Sequence, residues 1–219
     1  ILIGLVGSEM CIRDRYLVAV YVWSVYTECM HGMPSERPVR VAVPVNLRPY
    51  FNSITTKNFF VMVSAEFHPT KEIYTFEEVL KSVSESLRSQ ISRENLEKLF
   101  SYNVSNEKLL AARIVPLFLK NLAMRYVYTT SALANTATVT NIGNISVSEE
   151  YRPYVEMFHA FLAMSKGQHL KGTICSYGDT LVFSFSYDLT DTSVQRGFFR
   201  KIAADGIAVE IETNGVNYE

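Results

Sequence analysis

The strongest constraint on the fold is a pair of strand-forming stretches near the C-terminus, separated by two turn residues. Residues 172–177 and 180–187 flank Gly178-Asp179, a dipeptide that suits a two-residue hairpin turn. In the second stretch large apolar residues alternate with Val or Ser, so one face of the strand is aromatic. The alternation predicts a β-hairpin that places one face in a core.

Other hydrophobic patterns predict further strands and helices around this hairpin. Strands are expected over residues 39–47, 58–67, 136–141, 155–164 and 207–212. Helices are expected over residues 16–30, 75–91, 93–100, 106–128 and 191–205, with a capping box formed by Thr75 and Glu78 and a bend at Pro116. Pro44 indicates an edge or a bulge near the end of its strand. The order predicts a mixed α/β (α+β) fold, in which helices pack on a largely antiparallel sheet.

Composition and charge argue against several classes of function. The 219 residues carry a formal charge of −1, which disfavours a nucleic-acid-binding surface built on bulk charge. Cys29 and Cys175 are isolated and lack metal-ligand spacing, so we expect reduced thiols and no metal site. The apolar stretches 16–30 and 109–133 are too short or carry too many cations to cross a membrane. We therefore expect a cytoplasmic protein without a membrane span.

The sequence holds no complete catalytic motif. G-x-S-x-G, the phosphate-binding loops and H-E-x-x-H are all absent, and none of the four histidines begins an H-x-x-x-D-G motif. His31, His68 and His159 are expected to be loop or packing residues. His169 lies in a Lys-Gly-Gln loop, where it could contact a ligand. No catalytic residue is therefore assigned within this chain.

Two polar clusters at predicted strand ends are candidates for a binding site. They are Asn46, Arg48 and Asn58 at the first end, and Thr140, Asn141 and Gly143 at the second. Arg48 either clamps strand-end carbonyls or anchors an anion. Gly143 permits a tight turn, and Asn141 either caps that turn or lines a channel.

These clusters carry a resemblance to a known family. The segments VAVPVNLRPYFNSITTKNFF, ATVTNIGNI, GTICSYGDTLVFSFSYDL and FFRKIAADGIAVEIET occur in the order found in the C-terminal half of the chloramphenicol-acetyltransferase-like superfamily. This superfamily includes condensation domains, and the sequence most resembles its bacterial alcohol acetyltransferases. The resemblance covers residues 16–214. It implies one half of a two-domain fold, in which two α/β halves face each other across a channel.

The resemblance also implies a reaction. Members move an acyl group, most simply acetyl, from coenzyme A or from a carrier-protein thioester to an acceptor such as an alcohol. The histidine of H-x-x-x-D-G, on the N-terminal half, is the general base, and neither a metal nor a permanently bound cofactor takes part. The six candidate residues are implied to hold the channel wall and to contact the acyl donor or the acceptor.

Because the H-x-x-x-D-G motif is absent, the resemblance implies that this chain is inactive alone and needs its own N-terminal half as a partner. Two alternatives remain open at this point. The chain could belong to a peptide-synthetase-type condensation domain, or to a non-enzymatic scaffold with the same fold.

The first fifteen residues show neither helical nor strand periodicity. From Val6 to Arg15 they match the translation of a transposase sequencing adapter, so residues 1–15 are expected to be a non-native addition. The acyltransferase-like domain is expected over residues 16–214, followed by a tail over 215–219. We also expect poor solubility for residues 16–219 made alone, because an apolar face would lack its partner.

Overall fold

A five-stranded mixed sheet forms the centre of the fold in the computed structural model, which describes residues 12–108 and 115–214. The strands are β1 (Val39–Asn46), β2 (Phe60–Phe67), β3 (Ala137–Asn144), β4 (Leu170–Tyr177) and β5 (Thr180–Tyr187), in the spatial order β2-β1-β3-β4-β5. The outer pairs β1–β2 and β4–β5 are antiparallel over eight residues each. The parallel contacts of β3 cover two residues of β1 and six of β4. The predicted mixed, largely antiparallel sheet is thus confirmed, and so is the hairpin between β4 and β5.

Six α-helices accompany the sheet in the described residues. They are α1 (Ile12–Ser24), α2 (Arg48–Phe51), α3 (Phe76–Gln90), α4 (Arg93–Lys108), α5 (Leu117–Leu133) and α6 (Ser193–Ala204). A π-helical turn, Val25–Cys29, extends α1, and a single 3₁₀ turn lies at Arg152–Tyr154. The helix predicted over 106–128 is wrong in its start, because α4 already covers Lys108 and α5 begins after Pro116.

One face of the sheet is apolar and carries the core. The odd-numbered residues of β1 and β2 point to this face, and most of them are buried valines. On the hairpin, Phe183 and Phe185 pack against Tyr21 of α1 and Phe198 of α6. Helices α1, α3 and α6 cover this face, which we call the helix face. The predicted alternation in β5 is confirmed by these contacts.

Side chains of α3 hydrogen-bond to the backbone along the outer edge of β2. The backbone N–H of Ser64 donates to Gln90 Oε1 at 3.1 Å, and the amide of Gln90 returns a hydrogen bond to the Ser64 carbonyl at 2.7 Å. Ser86 bonds the same carbonyl and accepts from the N–H of Glu66. Helix α3 begins with the predicted capping box at Thr75 and Glu78. An otherwise free strand edge is thereby protected from pairing with another chain.

The predicted strands over residues 155–164 and 207–212 are wrong, since neither segment joins a ladder. Residues 155–164 cross the face of the sheet opposite the helices, which we call the second face. There the Cys175 thiol donates to the Phe158 carbonyl at 3.0 Å, and Lys171 Nζ donates to the Ala163 carbonyl at 2.7 Å. In this segment, therefore, carbonyls that would accept from the backbone of a neighbouring strand accept from side chains of β4 instead.

Candidate functional site

The carboxyl ends of β1 and β3 lie at the same edge of the sheet, because the two strands are parallel. Their pairing joins Val41 to Ala137 and Ala42 to Thr138, and it does not continue toward the carboxyl ends. Pro44 on β1 has no N–H to offer at the point where the pairing has stopped. The inner edges of β1 (residues 43–46) and β3 (residues 139–144) are therefore not paired with each other. We call this feature the β1–β3 opening.

Arg48 holds the loop that follows β1. Its Nε donates to the Thr55 carbonyl at 2.8 Å, and its Nη2 donates to the Lys57 carbonyl at 2.6 Å. The third partner is Asn46, whose Oδ1 accepts from Nη1 at 3.3 Å and from the backbone N–H of Arg48 at 3.1 Å. Of the two roles that the sequence left open for Arg48, this geometry is that of the carbonyl clamp. Asn46 orients the arginine by accepting from both its backbone and its side chain.

Asn58 lies at the surface, two residues before β2 begins. Its side chain is exposed and makes no hydrogen bond within the described residues. The neighbouring Phe59 packs against Phe51 and Phe100, with ring centroids 6.1 and 5.2 Å apart. The Phe59 carbonyl accepts from the N–H of Leu47 at 3.0 Å, which closes the loop. Asn58 is thus placed near the β1 end but is not engaged there.

At the end of β3 the strand carries a β-bulge. Asn141 pairs with Ile174 and Gly143 with Cys175, so Ile142 has no opposite residue. Gly143 adopts φ +88°, a conformation in which an L side chain is strained. The Asn141 Oδ1 accepts from the Gly143 N–H at 2.7 Å, and its Nδ2 donates to Asp14 of α1 at 2.8 Å. Asn141 therefore caps the bulge and contacts α1 at Asp14. Residues 12–15 are helical, although the sequence predicted no helical pattern in residues 1–15 and the helix only from residue 16.

Thr140 belongs to a polar row on the second face, which sequence analysis did not identify as a unit. It pairs with Thr173 on β4, which pairs with Ser184 on β5. Thr138, Lys171 and Ser186 form a parallel row two residues away. The signal was present in the sequence, because polar residues alternate with apolar ones in β3, β4 and β5. That these polar residues form one continuous surface can be seen only when the register of the three strands is known.

The described ionisable side chains elsewhere form no pair of nucleophile and base. Burial raises the pKa of the Cys175 thiol, and burial together with Asp191 and Glu28 raises that of Cys29, so neither is an activated thiolate. His169 Nδ1 lies 3.0 Å from Asp188 Oδ1, and His159 Nε2 lies 3.5 Å from Glu212. Both pairs are at the surface.

The described part of the chain lacks two further features. None of its helices has the length and apolarity needed to cross a membrane. Among the side chains that the structure describes, no cluster of three or more His, Cys, Asp or Glu could hold a metal ion.

Comparison with known proteins gives structural likenesses only. No protein-family model matches the chain, and no curated protein matches its sequence. Among solved structures, the chain is similar to the epimerization domain from the third module of tyrocidine synthetase B, with 10% identity and a TM-score of 0.51 over 87% of this chain and 41% of that one. It is also similar to the wax ester synthase/diacylglycerol acyltransferase from Marinobacter aquaeolei VT8, with 13% identity and a TM-score of 0.41 over 90% of this chain and 46% of that one.

A third similar structure concerns condensation domain-mediated chain release from the enacyloxin polyketide synthase. It is 10% identical, with a TM-score of 0.41 over 93% of this chain and 38% of that one. The chain spans less than half the length of each of these three structures. At such identities the likeness concerns the fold alone. The chain therefore has a mixed α/β fold similar to that of the epimerization domain.

Proposed function

We propose that this chain is one half of a condensation-type acyltransferase, which moves an acyl group from a thioester to an alcohol. The single observation that carries the proposal is the β1–β3 opening, where the pairing of two parallel strands in the middle of the sheet stops short of their carboxyl ends. Ligands of open α/β sheets typically bind in the crevice outside the carboxyl ends of the strands. The simplest substrates are acetyl-CoA and a small alcohol.

An opening in a sheet suits the thioester arm of coenzyme A or of a carrier protein. That arm is narrow, extended and contains amide groups, so it can hydrogen-bond to strand backbone in the way that an added strand does. Residues 43–46 and 139–144 offer such backbone along the two inner edges. The Arg48 clamp fixes the loop beyond one edge, and the bulge at Asn141 and Gly143 fixes the shape of the other. Asn58 and Thr140 are the remaining candidates for contact with donor or acceptor.

The chemistry needs a base that this chain does not offer in an H-x-x-x-D-G motif. In the proposed reaction the base takes the proton of the acceptor hydroxyl, and the oxygen attacks the thioester carbonyl. The carbon–sulfur bond then breaks, and the protonated base gives its proton to the departing sulfur, which leaves as the thiol. This chain contributes walls and positioning, and the base comes from a second half-domain. No residue of this chain is acylated in the proposed reaction.

The first experiment recovers the DNA upstream of the Tyr16 codon from the source. We expect the reading frame to continue into a segment that carries H-x-x-x-D-G. The joined protein should then release thiol from acetyl-CoA, or from an acyl carrier protein, in the presence of an alcohol, whereas the present chain alone should not. An upstream frame with a degenerate motif would instead favour the scaffold alternative.

A second experiment tests whether the bulge shapes the site. In the joined protein, Asn141→Ala removes the acceptor of the Gly143 N–H and should lower kcat/KM by roughly tenfold to a hundredfold, because small displacements of a positioning segment are costly in rate. Asn144→Ala changes the same residue type in the same strand, removes only an exposed side chain and keeps the backbone that the proposal uses, so it should leave the rate unchanged. Equal rates for both variants would contradict a role for the β3 end.

A further inference from the structure

Lys171 is a buried cation without a counter-charge in the described chain. Only 7% of its surface is exposed. Its Nζ donates to the Ala163 carbonyl at 2.7 Å and to Ser165 Oγ at 2.5 Å, and both acceptors are neutral. None of the carboxylates whose side chains the structure describes lies within 4.0 Å of it. A buried charge normally has a partner of opposite sign, because taking it out of water is costly.

The ammonium group also has donor capacity left. It carries three N–H groups, of which two are accounted for by Ala163 and Ser165. The groups beside it are further donors. Gln168 accepts from Thr138 Oγ1 through its carbonyl oxygen at 3.4 Å, which leaves the Gln168 Nε2 group without a partner in the described chain. The hydroxyl of Ser186 lies on the neighbouring strand, directly opposite Lys171 in the register.

The placement of these groups makes a small polar surface on the second face. Thr138 and Ser186 flank Lys171 on β3 and β5. The turn that carries Ser165 and Gln168 covers it, and both residues are half-buried. Lys171 therefore lies one layer below the solvent, under groups that can donate hydrogen bonds. Lys166 in the same turn is exposed and adds a second positive charge.

We propose that Lys171 anchors a binding site for an oxyanion, either a carboxylate or a phosphate group of a small molecule. A cation with a spare N–H, near residues that carry amide and hydroxyl donors and without a described carboxylate within 4.0 Å, fits such a group in charge and in hydrogen bonding. The site lies at the amino end of β4, away from the β1–β3 opening at the carboxyl end of β3. It does not depend on the proposed acyl transfer.

Thermal unfolding of the full chain tests the site with inorganic phosphate and with acetate, each compared with sodium chloride at equal ionic strength. A ligand that binds only the folded state at a hundredfold excess over its Kd stabilises it by about 2.7 kcal/mol. In a chain of this size that corresponds to a rise in Tm of about 5 to 10 °C. We expect a saturable rise of this kind with at least one of the two anions.

The decisive comparison is between Lys171→Met and Lys166→Met. Lys171→Met should abolish the saturable rise, whereas Lys166→Met, which removes the exposed lysine of the same turn, should retain most of it. Phosphate also stabilises proteins generally by its exclusion from their surfaces, but that effect is not saturable and acts on all variants alike. If Lys171→Met does not fold, Gln168→Ala replaces it and should weaken the anion response several-fold.

The outcomes separate the ligand classes. A response to phosphate alone assigns a phosphate-bearing ligand, and a response to acetate alone assigns a carboxylate. The proposal is overturned if wild-type protein shows no saturable response to either anion, or if Lys171→Met retains the response. Because no transfer reaction is measured, failure here is independent of failure of the proposed function.

Discussion

The two faces of the sheet are covered in different ways. The helix face is apolar, and α1, α3 and α6 lie on it through buried rings such as Tyr21 and Phe198. The second face is polar over β3, β4 and β5, and residues 155–168 cross it without forming a regular strand or helix. Hydrogen bonds from Lys171 and Cys175 attach that segment to the sheet.

The difference follows from how directional the interactions are. The free energy gained by burying apolar area depends on the size of the area and not on the direction of individual contacts. A helix with an apolar stripe can therefore cover an apolar sheet in more than one orientation. A buried hydroxyl, thiol or ammonium group needs a partner at hydrogen-bonding distance, so the covering chain must place its carbonyls one by one. The helix face therefore carries the buried apolar core, whereas the second face carries polar groups that hydrogen-bond individual carbonyls of the covering segment.

The largest expected effect belongs to the helix face. Phe198 is fully buried and contacts Tyr21, Phe183, Phe185 and Phe199. Phe198→Ala should lower the free energy of unfolding by about 3 to 5 kcal/mol, because it removes apolar contacts and leaves a cavity. Chemical denaturation measures the loss.

The matched control is Phe161→Ala in the segment that crosses the second face, where the ring is 67% exposed. It should change the stability by less than about 0.5 kcal/mol. Similar losses for the two variants would mean that the covering segment is part of the core, and the contrast between the faces would fail.

The next largest effect concerns the Arg48 clamp at the carboxyl edge of the sheet. Arg48→Met keeps the length of the side chain but removes the donors to the Thr55 and Lys57 carbonyls. We expect a loss of about 2 kcal/mol, in the range for hydrogen bonds to charged groups. Limited proteolysis should show faster cleavage between residues 52 and 59.

Arg48→Lys distinguishes the clamp from a simple positive charge. A lysine keeps the charge but cannot reach two carbonyls and Asn46 with a planar fork, so it should restore little of the lost stability. Full recovery by lysine would show that charge, and therefore an anion, is what this position requires.

Much of the helix face could be predicted from the sequence, because its rules are local. The alternation in β5, the capping box at Thr75 and the hairpin turn at Gly178 all follow from residues close in the chain. The same rules failed over 155–164. That segment has the apolar content of a strand, but whether it pairs depends on Lys171 and Cys175, which lie up to 17 residues further along the chain.

The candidate site, too, has a part that the sequence predicts and a part that it does not. Asn46, Arg48, Asn141 and Gly143 could be found from the sequence, because they lie at strand ends where polar and turn-forming residues stand out. Their partners could not. Nothing local pairs Arg48 with Thr55 and Lys57, and the β1–β3 opening depends on a register between strands almost a hundred residues apart. That Lys171 is buried, with no described carboxylate close to it, likewise becomes apparent only from the structure.

A smaller effect is expected at the bulge of β3. Gly143→Ala adds a Cβ that meets no atom within 4 Å, so the cost comes from the backbone conformation alone. A left-handed conformation costs an L residue about 1 kcal/mol, and thermal unfolding should show a loss of that size. Gly143→Asn should lose less, because asparagine tolerates this region. A much larger loss for alanine would mean that the added Cβ meets neighbouring atoms, and it would contradict the open space described at Gly143.

The smallest effect lies at the start of α3, on the rim of the helix face, and it depends on pH. A hydrogen bond from Lys71, followed by one from the Thr75 backbone, lowers the pKa of Glu78 below its ordinary value near 4.5. A carboxyl group whose pKa is lower in the folded state stabilises the fold at pH values above its unfolded pKa, and this contribution is lost as the pH falls through the folded value. The stability difference between wild type and Glu78→Gln should thus be constant above about pH 5.5 and shrink below pH 4.5.

Glutamine still accepts the capping-box hydrogen bond, so the comparison isolates the charge. Glu77→Gln removes an exposed charge from the same helical turn outside the capping box, and it should follow the wild-type acid profile. If the Glu78→Gln difference persists unchanged down to pH 3, the charge at Glu78 contributes nothing, and α3 is held on the helix face by its buried residues and by its bonds to the edge of β2.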